Sequence, residues 1–398
     1  MPNSVFAFHS FQHELTRIGD WWCSHMPDLE HGGFGGQFDN DGCFQFNADK
    51  GLVLNARILW FFSEAANSLH RNDYKLMAQR AWQYFERYFD DAEQGGAYWL
   101  LNYKGQVADN KKQTYGQCFA IYALCAYYRL TGEQHALELA IDYFELIEEH
   151  CRDPLYGGYI EACTRNWQHI DDMRLSEKEK NHPKSLNTHL HLLEAYTALH
   201  NVLPQPRYRQ ALVKCIDLFV RHFINADGSS LRMFFDMHWH DASQANSYGH
   251  DIECSWLLWD ALQSVDDNEL TEQIKPLVLN LAKNCARCAI TDEGKFAELL
   301  EFSNGHKSDQ SVWWVQAEAM VGFYNAYQIS GDKYYRQLSE SAWHYCYQHH
   351  FDLQFGEWFW FGKNAQNIQQ QTYKAGLWKG PYHNGRAMME LSKRVNHR

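Results

Sequence analysis

Gly96-Ala-Tyr98-Trp99 sets a glycine turn against two aromatic rings, and the same device returns along the chain. Gly33-Phe34, Gly158-Tyr159, Gly228 (with Phe234-Phe235 behind it), Gly294-Lys-Phe296 and Gly356-Glu-Trp358 follow the same pattern, at spacings of 63, 62, 70, 66 and 62 residues. A steady period marks a repeat architecture. Between turns the chain reads as two amphipathic helices with a short break, as at Asn72-Asp73, Thr131-Gly132, Pro204-Gln-Pro206 and Ser330-Gly331-Asp332. The second helix of several units carries a related stripe: Ala81-Trp-Gln-Tyr-Phe85, Ala140-Ile-Asp-Tyr-Phe144, Cys215-Ile-Asp-Leu-Phe219 and Ala342-Trp-His-Tyr-Cys346. Apolar positions recurring at helical spacing mark a buried face.

Five helix pairs lie between the six turns. A helix before the first turn, about Val5–Cys23, and one after the last, about Tyr382–Val395, complete a sixth. The expected fold is therefore all-α, an (α/α)6 barrel of twelve helices closed head to tail, with short β-hairpins in the connecting loops. An open solenoid would need polar capping faces at its ends. Leu15 and Trp21-Trp22 on the first helix do not look like a cap. The reading makes residues 1–398 a single barrel domain. Residues 166–184 form an insertion rich in charge (Asp171-Asp172, Glu177-Lys-Glu-Lys180), read either as a solvated loop or as a flap over a site.

Bulk properties exclude some classes. The 398 residues are 45% hydrophobic, enough for a large core, and the net charge is −13. An acidic chain without a basic block speaks against a nucleic-acid partner. The amino terminus lacks a basic region followed by an apolar run, and no apolar run approaches the ~18 residues of a membrane span, so neither export nor membrane insertion is expected. Eleven scattered cysteines read as reduced thiols in a cytoplasm. The 15 Trp, 23 Tyr and 24 Phe serve mainly packing, and some are expected to line a sugar site.

The first helix of each pair carries polar groups near its start. They are Arg57, then Tyr115, then Asn187, His191 and Glu194, then His250 and Glu253, then Trp314 and Glu318, and last Trp378 and His383. Parallel inner helices of a barrel would bring all six starts to one mouth. Any one of these residues is a weak signal, but three histidines, an arginine and three glutamates converging on one cavity are not. Histidine serves as acid and as base near neutrality. Two imidazoles on opposite sides of a carbon could remove a proton and return one, while an arginine stabilises the enediolate between those steps. That equipment suits epimerisation or isomerisation of an α-hydroxy carbonyl compound.

Three other classes compete with this reading. Three histidines could hold zinc, but there is no His-Glu-x-x-His helix, and Cys285-Ala-Arg-Cys288 is one CxxC without a second pair; the expectation is a site with no metal and no cofactor. Glycosidases of this barrel type need two opposed carboxylates, for which only Glu253 and Glu318 offer themselves. A sugar-binding protein would explain the tryptophans but not the clustered histidines.

The segments Lys50-Gly-Leu-Val-Leu-Asn-Ala-Arg57, Gln113-Thr-Tyr-Gly-Gln117, Lys184-Ser-Leu-Asn-Thr-His-Leu-His-Leu-Leu-Glu194, Gly249-His-Asp-Ile-Glu253, Trp313-Trp-Val-Gln-Ala-Glu318 and Trp378-Lys-Gly-Pro-Tyr-His-Asn-Gly-Arg386 span nearly the whole chain. Together they resemble the N-acylglucosamine 2-epimerase superfamily, and within it the cellobiose 2-epimerase branch. The resemblance implies a cofactor-free epimerase acting at C2 of the reducing-end glucose of β-1,4-linked disaccharides. It implies His250 and His383 as the acid/base pair, Arg57 on the enediolate oxygens, and Glu253 orienting His250. It implies His191 and Asn187 on ring and hydroxyl oxygens, and Tyr115, Trp314 and Trp378 around the sugar, with Glu318 beside it. His191 rather than His189 is chosen because Asn-x-x-x-His-x-x-Glu is the pattern the branches share. Mannose 2-epimerases and aldose–ketose isomerases are the neighbouring activities, and a monomer or weak homodimer is expected.

Overall fold

The computed structural model describes residues 5–396 apart from 178, 292–293, 309 and 363–371. Residues 1–4 of the amino terminus and residue 178 of the charged insertion lie outside the described residues.

The outer helices obey the stripe seen in the sequence. In α7 (Pro206–Leu218) the buried residues are Tyr208, Ala211, Leu212, Cys215 and Ile216, one face at helical spacing. The same holds for α1 (Phe8–His25), α3 (Asn72–Tyr84), α5 (Gln134–Leu146), α9 (Asn268–Cys288) and α11 (Lys333–His349). The inner helices differ. In α2 (Leu52–Leu69) the chain is buried all round from Leu52 to Ser63, and α4 (Thr114–Thr131), α6 (Leu186–Val202), α8 (Tyr248–Val265) and α10 (Trp313–Ser330) follow suit. A helix apolar on every side belongs in the middle of a layered fold. With α12 (His383–Asn396) these make twelve α-helices among the described residues.

The inner helices pack in sequence, α2 on α4, α6, α8, α10 and α12, and α12 returns to α2. The barrel is therefore closed rather than an open solenoid. The seam is covered by α1 against α12. There the Trp358 indole donates to Glu14 (2.7 Å), the Trp22 indole donates to Glu357 (2.6 Å), and Arg17 donates to the Asp352 carbonyl (2.9 Å). The predicted breaks stand at the ends of inner helices: Gly132 and Gly331 take the left-handed conformation (φ 75° and 74°) that ends α4 and α10.

The strands do more than decorate loops. Among the described residues only β3 (Leu100–Leu101) and β4 (Val107–Asp109) form a hairpin of named strands within one loop. The other pairs are antiparallel stitches between neighbouring loops. They join β2 (Lys50–Gly51) to β3, β5 (Lys112–Gln113) to β6 (Ala162–Cys163), β7 (Lys184–Ser185) to β8 (Phe234–Phe235), β9 (Ala245–Ser247) to β10 (Leu299–Glu301), and β11 (Tyr373–Ala375) back to β1 (Phe38–Asp39). A single bridge, Val312 to Phe361, joins the remaining junction. The loops thus form a second ring, a crown around the amino-terminal ends of the inner helices.

Among the described residues, four of the six loops also carry a buried staple. Lys50 binds Asp28 (2.7 Å), Lys112 binds Asp91 (3.0 Å), Lys184 binds Asp153 (2.7 Å), and Lys374 binds Asp352. Each ammonium also donates to a loop carbonyl, of Gly32, Gly96, Met237 and Gly356 respectively. Each aspartate in turn accepts backbone N–H groups of its own turn. Asn246 before α8 and Ser311 before α10 stand where the first three of these lysines stand before α2, α4 and α6.

The insertion is a mixture of the two readings. Met173 and Leu175 are buried, and the Met173 carbonyl accepts from Gln113 at the start of α4 (3.0 Å). Asp171, Asp172 and Glu177 stay exposed.

Candidate active site

α2, α4, α6 and α8 begin just after a crown strand, α10 just after the Val312 bridge, and α12 after a short loop from β11, so their first turns point into the mouth. Arg57, in the second turn of α2, is 3% exposed. Its Nη2 donates to the Tyr115 hydroxyl (2.9 Å), and its guanidinium lies over the rings of Phe119 (4.3 Å) and Tyr382 (4.7 Å). The Arg57 Nε has no protein partner. Burial pushes the Tyr115 phenol up to about 12, so it stays protonated. On α6, His191 packs edge-on to Tyr115 (5.0 Å between centroids), and Asn187 is half-buried one turn earlier. The alternative His189 is spent on the backbone. Its Nδ1 faces the Ser185 carbonyl (2.7 Å) and its Nε2 accepts the Tyr159 N–H (3.0 Å).

Trp314 stands between the two remaining imidazoles, with ring centroids 5.0 Å from His250 and 5.4 Å from His383. Gly249 makes room for it, since a Cβ there would meet the Trp314 ring at 2.5 Å. Burial pushes the Glu298 carboxyl up to about 7, with Trp314 acting in the other direction. Trp378 is half-buried between Trp99 (6.2 Å) and Tyr115 (6.4 Å). Arg57, Tyr115, His191 and Trp378 thus form one group of contacts and His250, Trp314 and His383 another, and Tyr382 joins the two by touching Arg57, His191 and His383.

Two expectations need correction. Glu253 does not orient His250. The His250 side chain folds back to the helix cap, with Nδ1 2.7 Å from the Ser247 hydroxyl, while Glu253 Oε1 takes Arg386 Nη2 (2.5 Å). Three-residue spacing puts two side chains on one face but does not oblige them to meet. Glu318, placed beside the sugar from its position, is 1% exposed and fully engaged. Its Oε1 takes His383 Nδ1 (2.6 Å) and Arg386 Nη2 (2.7 Å), and its Oε2 takes the Trp256 indole (3.0 Å). It supports the imidazole from behind.

Arg386 is the residue the sequence reading did not single out, although it closes the last quoted segment. It is 2% exposed and binds Glu194, Glu253 and Glu318 together. The signal was present: three glutamates on three buried helices demand a cation. Burial works to raise Glu194, but Arg386, His191 and Tyr382 overcome it and hold the carboxyl at about 2. Burial raises Glu253 and Glu318 as well, and Arg386 pulls both back. Glu253, Glu318 and His383 each place one donor atom within 4.8 Å of the others, a spacing that could hold a metal ion. Those atoms are already engaged, because Arg386 Nη2 lies on both carboxylates and His383 Nδ1 lies on Glu318. A guanidinium takes the position a cation would need.

The imidazoles are tuned by burial. It depresses His250 to about 4. It also pushes His383 well below the ordinary value, aided by Arg57 and Arg386 and opposed by Glu253. A carboxylate facing Nδ1 holds the proton there and leaves Nε2 with a lone pair. His383 and, through Glu194 (3.1 Å), His191 are therefore set as acceptors at Nε2.

Known proteins resemble this chain along nearly its whole length. The sequence profile of the N-acylglucosamine 2-epimerase (GlcNAc 2-epimerase) family matches residues 32–387. The chain is 44% identical to the cellobiose 2-epimerase of Bacteroides fragilis, over 96% of this chain and 97% of that one. It is 35% identical to that of Dictyoglomus turgidum, over 99% and 100%. The solved structure of cellobiose 2-epimerase from Bacillus thermoamylovorans superposes with a TM-score of 0.90 at 36% identity, covering 98% of this chain and 99% of that one. With the ring of imidazoles, the buried Arg386 network and this match in hand, the chain belongs to the N-acylglucosamine 2-epimerase family.

Proposed function

We propose that this barrel interconverts the glucose and mannose forms of the reducing-end sugar of β-1,4-linked disaccharides such as cellobiose, by removing and returning a proton at C2. The observation that carries the reading is the pair His250 and His383 on either side of Trp314, with Arg57 close to His383. Similarity to cellobiose 2-epimerases supports the disaccharide over a single sugar.

In the open-chain aldose the C2–H bond breaks and its proton passes to an imidazole Nε2. The electron pair forms the C1–C2 double bond of a cis-enediolate, and its negative charge falls on O1. Arg57 is the group for that charge, being buried, permanently cationic and short of one partner at Nε. Rotation about C2–C3 presents the other face of C2, which takes a proton from an imidazole as the C1 carbonyl reforms. Atoms and charge balance with no redox partner. His191 and Asn187 hold hydroxyl oxygens, Tyr115 positions Arg57, and Trp314 and Trp378 shape the sugar subsites. Glu318 and Glu253 act through His383 and Arg386.

The chemistry calls for no metal, and adding a chelator should leave the rate unchanged. Glycoside hydrolysis fits poorly. It needs carboxylates on opposite sides of the scissile bond, whereas Glu253 and Glu318 share one guanidinium nitrogen. The whole chain is taken as one catalytic domain, working in a reducing cytoplasm as a monomer or weak homodimer; its eleven cysteines are all free thiols.

The test is incubation with cellobiose in D2O. Glucosyl-mannose labelled at C2 is expected. Unlabelled product would overturn the proton-transfer scheme, and released glucose would point to hydrolysis.

A further inference from the structure

The crown mouth is one end of the barrel. At the other end the inner helices surround a second cavity of about 560 Å³. Each of the six contributes a residue from its carboxy-terminal part: Glu64, Arg129, Asn201, Ser264, Gln328 and Arg394. The volume falls within the ~300–1,000 Å³ typical of small-molecule sites. The cavity opens to solvent past Lys393 and Arg129, whose side chains are 68% and 40% exposed. Its inner end reaches Glu194, Trp256 and Arg386, the network that supports His383 from the other side.

The lining defines the ligand chemistry. It holds four acidic and four basic side chains, so no net charge is on offer. Arg129 is paired with Glu64, and Arg394 with Asp260 and Glu390. Six helix carboxy-terminal ends also turn partial negative charge toward this end of the barrel, which disfavours an anion. Two buried donors have no protein partner, Asn325 Nδ2 and Arg386 Nε, and both residues line the cavity at 1% and 2% exposure. An orphaned buried donor is costly unless an oxygen reaches it. The half-buried Trp259 supplies an aromatic ring beside these donors, while Trp60 is stacked on Tyr122 and Trp256 carries the Arg386 guanidinium over its ring. An aromatic ring, amides and unpaired donors without net charge fit a neutral polyhydroxylated ligand.

We propose that this rear cavity is a second saccharide-binding site, distinct from the crown mouth. The probe is methyl β-cellobioside, a neutral disaccharide that cannot open to the aldehyde, titrated by calorimetry. The blocking pair Thr197→Trp and Gln328→Trp should abolish one binding site while cellobiose conversion continues. Asn325→Leu, which removes one orphaned donor without adding bulk, should weaken the same site about tenfold. Sugar density at the rear of soaked crystals supports the proposal. Unchanged binding in both the blocked protein and Asn325→Leu overturns it, as does citrate binding there in preference to the sugar. Stoichiometry is read without turnover, so failure of the epimerase assay would not be mistaken for failure of this site.

Discussion

His383 and His250 face each other across Trp314, yet they are held by different means. The His383 Nδ1 is bound to the Glu318 carboxylate, which is itself bound to Arg386 and Trp256. The His250 Nδ1 meets only the Ser247 hydroxyl, which also accepts the His250 backbone N–H at the helix cap. A carboxylate can only accept, so His383 has one neutral tautomer. A hydroxyl can donate or accept, so His250 can present either a lone pair or a proton at Nε2 without changing its charge. One imidazole is thus built as a fixed base, the other as an adaptable partner.

The largest effect that probes this comparison is removal of either ring. His383→Ala and His250→Ala should each cut turnover about 10³-fold or more and suppress C2 labelling in D2O while leaving the helical circular dichroism intact. If one variant retains exchange without product, that ring serves only one face. Next comes the support of the fixed base. Arg386→Leu leaves three buried carboxylates without their cation and should cost about 3–5 kcal/mol of unfolding free energy in urea titration. Milder is Glu318→Gln, which keeps the shape but removes the charge. It should lower kcat about 10²-fold with little change in KM. The matching change on the other side, Ser247→Ala, should cost less than about tenfold in kcat and about 1 kcal/mol in stability through the lost cap. Equal losses in Glu318→Gln and Ser247→Ala would erase the distinction.

The smallest signature is in pH. His250 is depressed to about 4. Its neutral form therefore persists well below the ordinary imidazole range, and kcat/KM should stay level from pH 7 to about 5.5, falling only below about pH 5. The same depression makes the folded state bind fewer protons than the unfolded one. His250's contribution to stability is therefore complete above about pH 6.5 and is lost as pH falls toward 4. An acid limb near 6.5 would show that His250 is not desolvated as described.

The ring and its inner and outer helices were legible because burial imposes a period: α7 shows its single stripe in the bare sequence. The mouth was legible because six helix starts in a closed barrel must converge. Pairings across the barrel were not. Nothing local in Gly249-His-Asp-Ile-Glu253 reveals that the imidazole turns to Ser247 while the carboxylate crosses to Arg386 on α12. The lysine–aspartate staples were missed for a similar reason. Asp28 and Lys50 look like solvated charges until the crown closes over them, after which both are largely buried.

The stitches between loops have a further consequence. A linear array of repeats can fray from its last unit, because that unit has one neighbour. Here every wedge has two neighbours twice over, through the inner helices and through the crown. Opening any wedge breaks both joints at once. The protein should therefore melt in a single cooperative step and tolerate being cut and rejoined at a different hairpin, since a circle has no privileged place to begin.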